Sequence, residues 1–179
     1  MPATADNGNV FRRVAEGTPN QAVDMLGPAV EFLTGPEAQG SFCVMRGVLP
    51  PGMTVPLHSH DDAEDFFVLA GTHQVLMQDA HGLEWADAHA GDYVHIPAST
   101  PHAHRNVSPD PAVDLMITTA RLGQFFAEAG RPVTGLPQPP APGDVARFTA
   151  VAARYGHMLG TPEENAAAGI HMPKFAVGQ

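Results

Sequence analysis

The residues best suited to chemistry fall in two short clusters. His58, His60 and Glu64 are spaced His-x-His-x3-Glu, and His102 and His104 form a second His-x-His downstream. In an extended strand alternate side chains share a face, so the imidazoles of each pair point the same way. Asp61-Asp62-Ala63 is a short polar turn, after which Glu64 enters the returning strand and adds a carboxylate to the His58/His60 pair. One of His102 and His104 then completes a set of three imidazoles and one carboxylate. That donor set suits one divalent metal ion, and Fe, Mn, Ni, Co, Cu and Zn all accept it. Four protein ligands leave positions of an octahedral ion open to water, substrate or dioxygen, which points to chemistry at the ion rather than to a structural clamp.

Positioning these residues requires strands. From Val30 to Thr119 short apolar runs alternate with turn clusters at the spacing of a sandwich or barrel. The expected strands are Val30–Leu33, Phe42–Leu49, Thr54–His58, Asp65–Leu69, Thr72–Met77, Leu83–Ala86, Asp92–Ile96, His102–Asn106 and Val113–Thr119, punctuated by turns such as Gly35-Pro36, Pro50-Pro51-Gly52 and Ala80-His81-Gly82. No helical period interrupts them, which disfavours parallel crossovers. The fold class is therefore mostly β, and 18 Gly with 18 Pro agree with many turns. After Ala120 the period changes. Leu122, Phe125, Phe126 and Ala129 mark a short helix over 122–129. A Pro-rich connector, 131–143, leads to a second helix with Asp144 as its N-cap and Gly156 at its end. Thr161-Pro162-Glu163-Glu164 opens a third. The chain thus divides into an N-terminal arm (1–28, with Phe11, Arg12 and Arg13), a β-barrel (29–120) and a helical C-terminal extension (121–179).

Two segments resemble the cupin superfamily. Gly52, His58, His60, Glu64 and Gly71 fit its pattern Gly-x5-His-x-His-x3-Glu-x6-Gly. Gly91, Pro97, His102 and Asn106 fit Gly-x5-Pro-x-Gly-x2-His-x3-Asn, with Ser99 where the family usually has Gly. The resemblance spans roughly residues 41–120 and implies a jelly-roll β-barrel in which His58, His60, Glu64 and His102, not His104, hold the metal. It also implies that Val94 and Ile96 face the interior and His95 does not. Phe66, Val68, Val94 and Ile96 would then form an apolar wall, with Met45, Met53 and Met116 as liners and His104 beside the site. A single short domain with this ligand set looks like bacterial quercetin-dioxygenase-type cupins. There the substrate hydroxyl binds the metal, the glutamate is both ligand and base, and dioxygen inserts into the activated ring. By that likeness Glu64 is the catalytic base, Phe66, Val94, Ile96 and His104 contact a small aromatic or enolisable substrate, and the protein is a homodimer. Two alternatives are a non-oxidative metal-dependent isomerase, decarboxylase or cyclase, and a binding or sensor module without turnover.

The remaining composition narrows the field. Nine basic against 19 acidic residues give a net charge of −10, which repels nucleic acid and anionic membrane surfaces. Arg46 and Arg105 are the barrel strands' arginines, and Arg105 alternates away from His102, so an anionic sugar substrate is poorly served. Cys43 is the sole cysteine, which rules out an intramolecular disulfide or a multi-thiolate zinc site. No segment has the length and hydropathy of a signal or transmembrane helix, and the cytoplasm is the expected location. His73, His81, His89, His157 and His171 read as core or surface histidines, and Asp65 as a solvated strand residue.

Overall fold

The computed structural model describes residues 22–35, 40–79, 82–133 and 139–171. Every strand expected from the alternation forms. They follow β1 (Ala22–Asp24) as β2 (Ala29–Phe32), β3 (Phe42–Leu49), β4 (Thr54–Ser59), β5 (Glu64–Ala70), β6 (Thr72–Asp79), β7 (Gly82–His89), β8 (Tyr93–Ile96), β9 (His102–Arg105) and β10 (Ala112–Thr119). Helix α1 (Ala120–Ala129), β11 (Arg131–Pro132), α2 (Pro142–Arg154), β12 (Met158–Leu159) and α3 (Pro162–Ala167) complete the chain. Most of the N-terminal arm, including Phe11, Arg12 and Arg13, lies outside the described residues, as do Pro36, His81 and part of the Pro-rich connector.

Two antiparallel sheets face each other. One runs β11-β1-β2-β3-β10-β5-β8 and the other β12-β4-β9-β6-β7. Strands close in sequence fall in opposite sheets, as β3 and β4 or β9 and β10 do, which is the double-sheet jelly roll. Alternation then decides which residues meet between the sheets. In the larger sheet Met45, Met116, Phe66 and Val94 lie in one register row. In the smaller one His58 pairs with His102, and Val55 and Val75 flank His104. The apolar core between the sheets comprises Val30, Phe32, Cys43, Met45, Phe66, Val68, Val75, Ala88, Val94, Ile96 and Met116. Met45, Val68 and Val75 are wholly enclosed, and each contributes about 1.5–3 kcal/mol relative to an exposed side chain.

Three local features differ from the sequence expectation. Residues 22–24, assigned to the arm, form a strand between β2 and β11. Three residues are too few to show alternation, and the strand is held by a tight turn in which Gly27 N–H donates to Asp24 Oδ1 at 2.7 Å. Asp144 is not an N-cap: α2 begins at Pro142 after Ala141, and the Asp144 carboxylate accepts the Ala141 N–H at 2.9 Å. Proline at the helix start explains the shift, because its missing N–H is one the first turn does not need. Third, Met53 does not reach the barrel wall as a liner but packs against Gly27.

The helices close one flank of the barrel. Leu122, Phe125 and Ala129 of α1 pack with Val151 and Ala152 of α2, and Arg147 of α2 donates to the carbonyls of Glu128, Ala129 and Gly130 at the end of α1. On the outer face of the smaller sheet, Leu57, Leu76 and Ala103 are covered by Ile170 beyond α3. Trp85 there donates to Ala168 O at 3.0 Å and stacks under the Arg105 guanidinium. None of the helices among the described residues is long and apolar enough to cross a membrane.

Candidate metal centre

The turn between β4 and β5 is pinned from three sides. Thr118 Oγ1 donates to Ala63 O at 2.7 Å. Asp62, buried in the turn, accepts from Thr119 Oγ1 at 2.5 Å and from the Arg121 guanidinium. Thr119 is also the N-cap of α1, so the start of that helix and the turn carrying His60 and Glu64 are one hydrogen-bonded unit. From the other side Ser99 N–H donates to His60 O at 2.7 Å and Ser99 Oγ to Asp61 Oδ1 at 2.8 Å. Ser99 holds φ 61°, the left-handed conformation that glycine adopts freely. The serine therefore keeps the turn that glycine makes in the motif and adds a side-chain tie to the ligand loop.

Gly71, which closes the first motif, has φ 74°, and a Cβ there would sit 2.4 Å from Pro111 O. The last motif residue, Asn106, is fully buried and ties its own loop to the end of β3. Its amide donates to Leu49 O and Asp110 O, and its carbonyl accepts from Ser108. These motif positions thus build the frame, and the histidines and glutamate fill it.

Inside the frame the ring centroids of His58 and His102 are 4.2 Å apart, and those of His60 and His102 5.2 Å. Glu64 Oε2 is 3.6 Å from His60 Nε2 and 3.4 Å from His102 Nε2. Two overlapping groups have ligand atoms within 4.8 Å of one another: His60, Glu64 and His102, and His58, His102 and His104. All four expected ligands therefore share one pocket, joined through His102, and His104 stands with them.

The donor chemistry fits a metal ion. His58 Nδ1 is 2.8 Å from Pro56 O and His102 Nδ1 is 2.7 Å from Thr100 O. A carbonyl only accepts, so both Nδ1 atoms carry the proton and both Nε2 atoms offer lone pairs. His102 Nε2 and His60 Nδ1 are buried without a hydrogen-bond partner among the described residues, a cost that a bound cation would relieve. Burial and the neighbouring His102 push His58 down to about 3. Burial alone would raise Glu64, but the adjoining His102 and His60 hold its carboxyl well below the usual carboxylate range. His60 moves the other way: burial opposes its charge, but Glu64 and Asp62 together outweigh burial and raise it.

The remaining site residues fall as follows. Phe66, Val94 and Ile96 are buried in the core and point between the sheets, and His104 is buried with its ring 5.1 Å from Phe66. Asp65 and His95 lie on the outer face, where Asp65 Oδ1 accepts from Tyr93 and is 2.6 Å from His95 Nδ1. Two histidines read as structural border the site. His73 Nε2 is 3.0 Å from His104 Nδ1. His157, brought in by the segment between α2 and β12, stacks on Phe125 at 4.0 Å and faces His60 at 4.9 Å. No spacing rule marks either one. Strand alternation from Gly71 does turn His73 inward, but His157 reaches the site only because β12 pairs with β4.

These environments set a pH dependence for the metal-free protein. Burial holds His58 at about 3, His157 at about 4 and His104 well below its ordinary value. For each, the unfolded chain takes up protons before the folded one, so stability is present above about pH 6.5 and is lost on acidification. His60, raised, contributes in the opposite sense and only partly offsets the three. Thermal melts of metal-free protein should therefore fall continuously between about pH 6.5 and pH 3–4. A flat profile through that window would contradict the buried neutral histidines.

Comparisons agree with this architecture. Residues 45–118 match the model of the cupin domain. A DMSP lyase, DddQ, from Ruegeria pomeroyi DSS-3 is similar at 28% identity and a TM-score of 0.45, over 51% of this chain and 46% of that one. The chain thus spans less than half of that lyase. A predicted oxalate decarboxylase from Thermotoga maritima is similar at 23% identity and a TM-score of 0.50, over 62% of this chain and 98% of its own. A conserved protein with a double-stranded β-helix domain from Klebsiella pneumoniae is similar at 16% identity and a TM-score of 0.50, over 63% and 91%. These likenesses concern the fold. No curated protein matches the sequence.

Proposed function

Because residues 45–118 of this chain are a cupin domain, with a cluster of imidazoles and a carboxylate at one end of the barrel, we propose that the protein is a metal-dependent enzyme. In this reading it is a dioxygenase of the quercetinase type, acting on a small aromatic or enolisable compound. The observation that carries it is Glu64, a carboxylate buried between His60 and His102 and held ionised there.

His58, His60, Glu64 and His102 would hold one divalent ion, Fe, Mn, Ni, Co, Cu or Zn. Bound there, such an ion supplies Lewis-acid polarisation of a substrate oxygen and access to dioxygen chemistry. The chain's own residues do the rest. Glu64 Oε2 accepts the proton of the substrate hydroxyl, leaving an electron-rich enolate or phenolate. Phe66, Val94 and Ile96 provide an apolar wall that excludes water and accommodates a flat ring. The barrel arginines are turned away: Arg105 lies against Trp85 and donates to Gln74, and Arg46 pairs in register with Glu31 on the outer face. No cation is therefore presented to an anionic substrate from these strands.

A second reading is favoured by the buried His73–His104 contact, which brings a further imidazole to the site. It is a non-oxidative isomerase, decarboxylase or cyclase that moves protons without dioxygen. One experiment separates the two. Protein reconstituted anaerobically with each candidate metal is offered flavonols, catechols and β-diketones while dioxygen is monitored. Dioxygen uptake matching substrate loss is expected. Product formed under strict anaerobiosis would replace the first reading with the second, and no turnover with any metal would leave a ligand-binding module.

A further inference from the structure

Behind His104 the barrel contains an ionisable couple that the metal motif does not account for. His73 on β6 and Asp114 on β10 belong to opposite sheets, yet His73 Nδ1 lies 3.0 Å from Asp114 Oδ2. Both side chains are buried, and the surrounding core is Phe66, Val68, Val75 and Met116. Enclosing such a pair in apolar surroundings costs several kcal/mol of desolvation. Hydrophobic side chains of similar size would join the sheets at lower cost, so packing alone gives no reason to keep it.

Proton bookkeeping supplies a reason. The His73–Asp114 contact is not aligned as a hydrogen bond. A bare Nδ1 lone pair facing the carboxylate at 3.0 Å would still be repelled, which favours the His73 proton on Nδ1 and leaves Nε2 as an acceptor. His73 Nε2 is 3.0 Å from His104 Nδ1, so His104 carries its proton on Nδ1 and presents a bare Nε2. His58 and His102 were set in that same state by the carbonyls of Pro56 and Thr100. Three imidazoles, each with its Nδ1–H held by an acceptor, thus converge with ligand atoms within 4.8 Å of one another. A carboxylate acting through a hydrogen-bonded partner is a common means of orienting a metal-bound histidine and raising its basicity.

We propose that His104 is a fifth protein ligand of the ion held by His58, His60, Glu64 and His102, with His73 and Asp114 as the positioning residues that fix its tautomer. The proposal rests on the metal reading above and deepens it. Four imidazoles and one carboxylate leave one position of an octahedral ion open. The set favours borderline ions such as Fe(II), Co(II), Ni(II), Cu(II) or Zn(II) over Mn(II) or Mg(II), which prefer oxygen.

The test uses cobalt(II) and copper(II) on the full chain and reads binding and spectra, not turnover. His104→Gln should weaken cobalt(II) binding by about 100-fold and shift its ligand-field bands. His73→Gln and Asp114→Asn, which touch no ligand atom of the ion, should weaken it by about 10-fold with smaller shifts. Pulsed electron paramagnetic resonance of copper(II)-loaded wild type should count four imidazoles, and this readout stands even if a variant fails to fold. Three imidazoles, or a His104→Gln protein with wild-type affinity and spectrum while His58→Ala has lost binding, would overturn the proposal and leave the four-ligand site standing. A wild type that takes up no stoichiometric cobalt(II) or copper(II) would overturn the metal reading itself.

Discussion

His102→Ala should purify folded and nearly free of metal. His102 pairs in register with His58, faces Glu64 Oε2 at 3.4 Å, and belongs to both groups of converging ligand atoms. Removing it therefore cuts the link between the two halves of the site. Substituting residues that merely support a ligand costs about 10–100-fold in affinity, so loss of the shared ligand should cost at least about 100-fold. The side chain is wholly buried, and truncation leaves a small cavity worth about 2–3 kcal/mol. The removal of an unpartnered buried Nε2 offsets part of that. The melting temperature of the metal-free variant should accordingly drop only modestly, while elemental analysis of protein purified without added metal falls close to zero. A variant that retains wild-type metal content would show that the ion, if any, binds elsewhere.

Glu64→Gln should have its main effect on turnover. Glutamine keeps the length and one oxygen donor of the side chain but cannot accept the substrate proton. Loss of a positioned general base lowers kcat by roughly 100- to 10,000-fold. Metal affinity should fall as well, because a neutral amide is a poorer ligand than a carboxylate, so rates must be compared per metal-loaded site. The comparison also separates catalysis from binding. A protein that only holds a small molecule would keep its ligand affinity in Glu64→Gln at full metal loading, whereas an enzyme in which Glu64 is the base would keep substrate binding and lose kcat. Retention of wild-type kcat per bound metal would remove Glu64 from the base role and shift attention to His104.

The frame of the site was open to sequence reasoning because it is built from short-range rules. His-x-His puts both imidazoles on one strand face, Gly71 permits the hairpin after β5, and Pro97 with Ser99 marks the reversal before β9. The strands from β2 to β10 followed from short apolar runs set between turn clusters, and in β3, β5, β8 and β10 burial alternates with a two-residue period. Elements without such a period were misjudged. β1 is three residues long and exists only because β2 and β11 flank it, and the capping role given to Asp144 passed to Ala141 once Pro142 opened the helix. Met53 was assigned by its neighbourhood in the chain and turned toward Gly27 instead.

On its own, the sequence marked residues suited to an ion, the strand face they occupy and a mostly β fold, because each of these follows from local spacing and backbone geometry, and it carried the two motifs by which the chain resembles cupins. Only the tertiary structure decided what surrounds them. Asp114 meets His73 across two sheets, and His157 arrives from beyond α2 when β12 joins β4. Asp62 is fixed by Thr119 and Arg121 at the far end of the barrel strands. Contacts between residues distant in sequence depend on how the sheets stack and where the helices dock. No pattern in one stretch of chain encodes that placement.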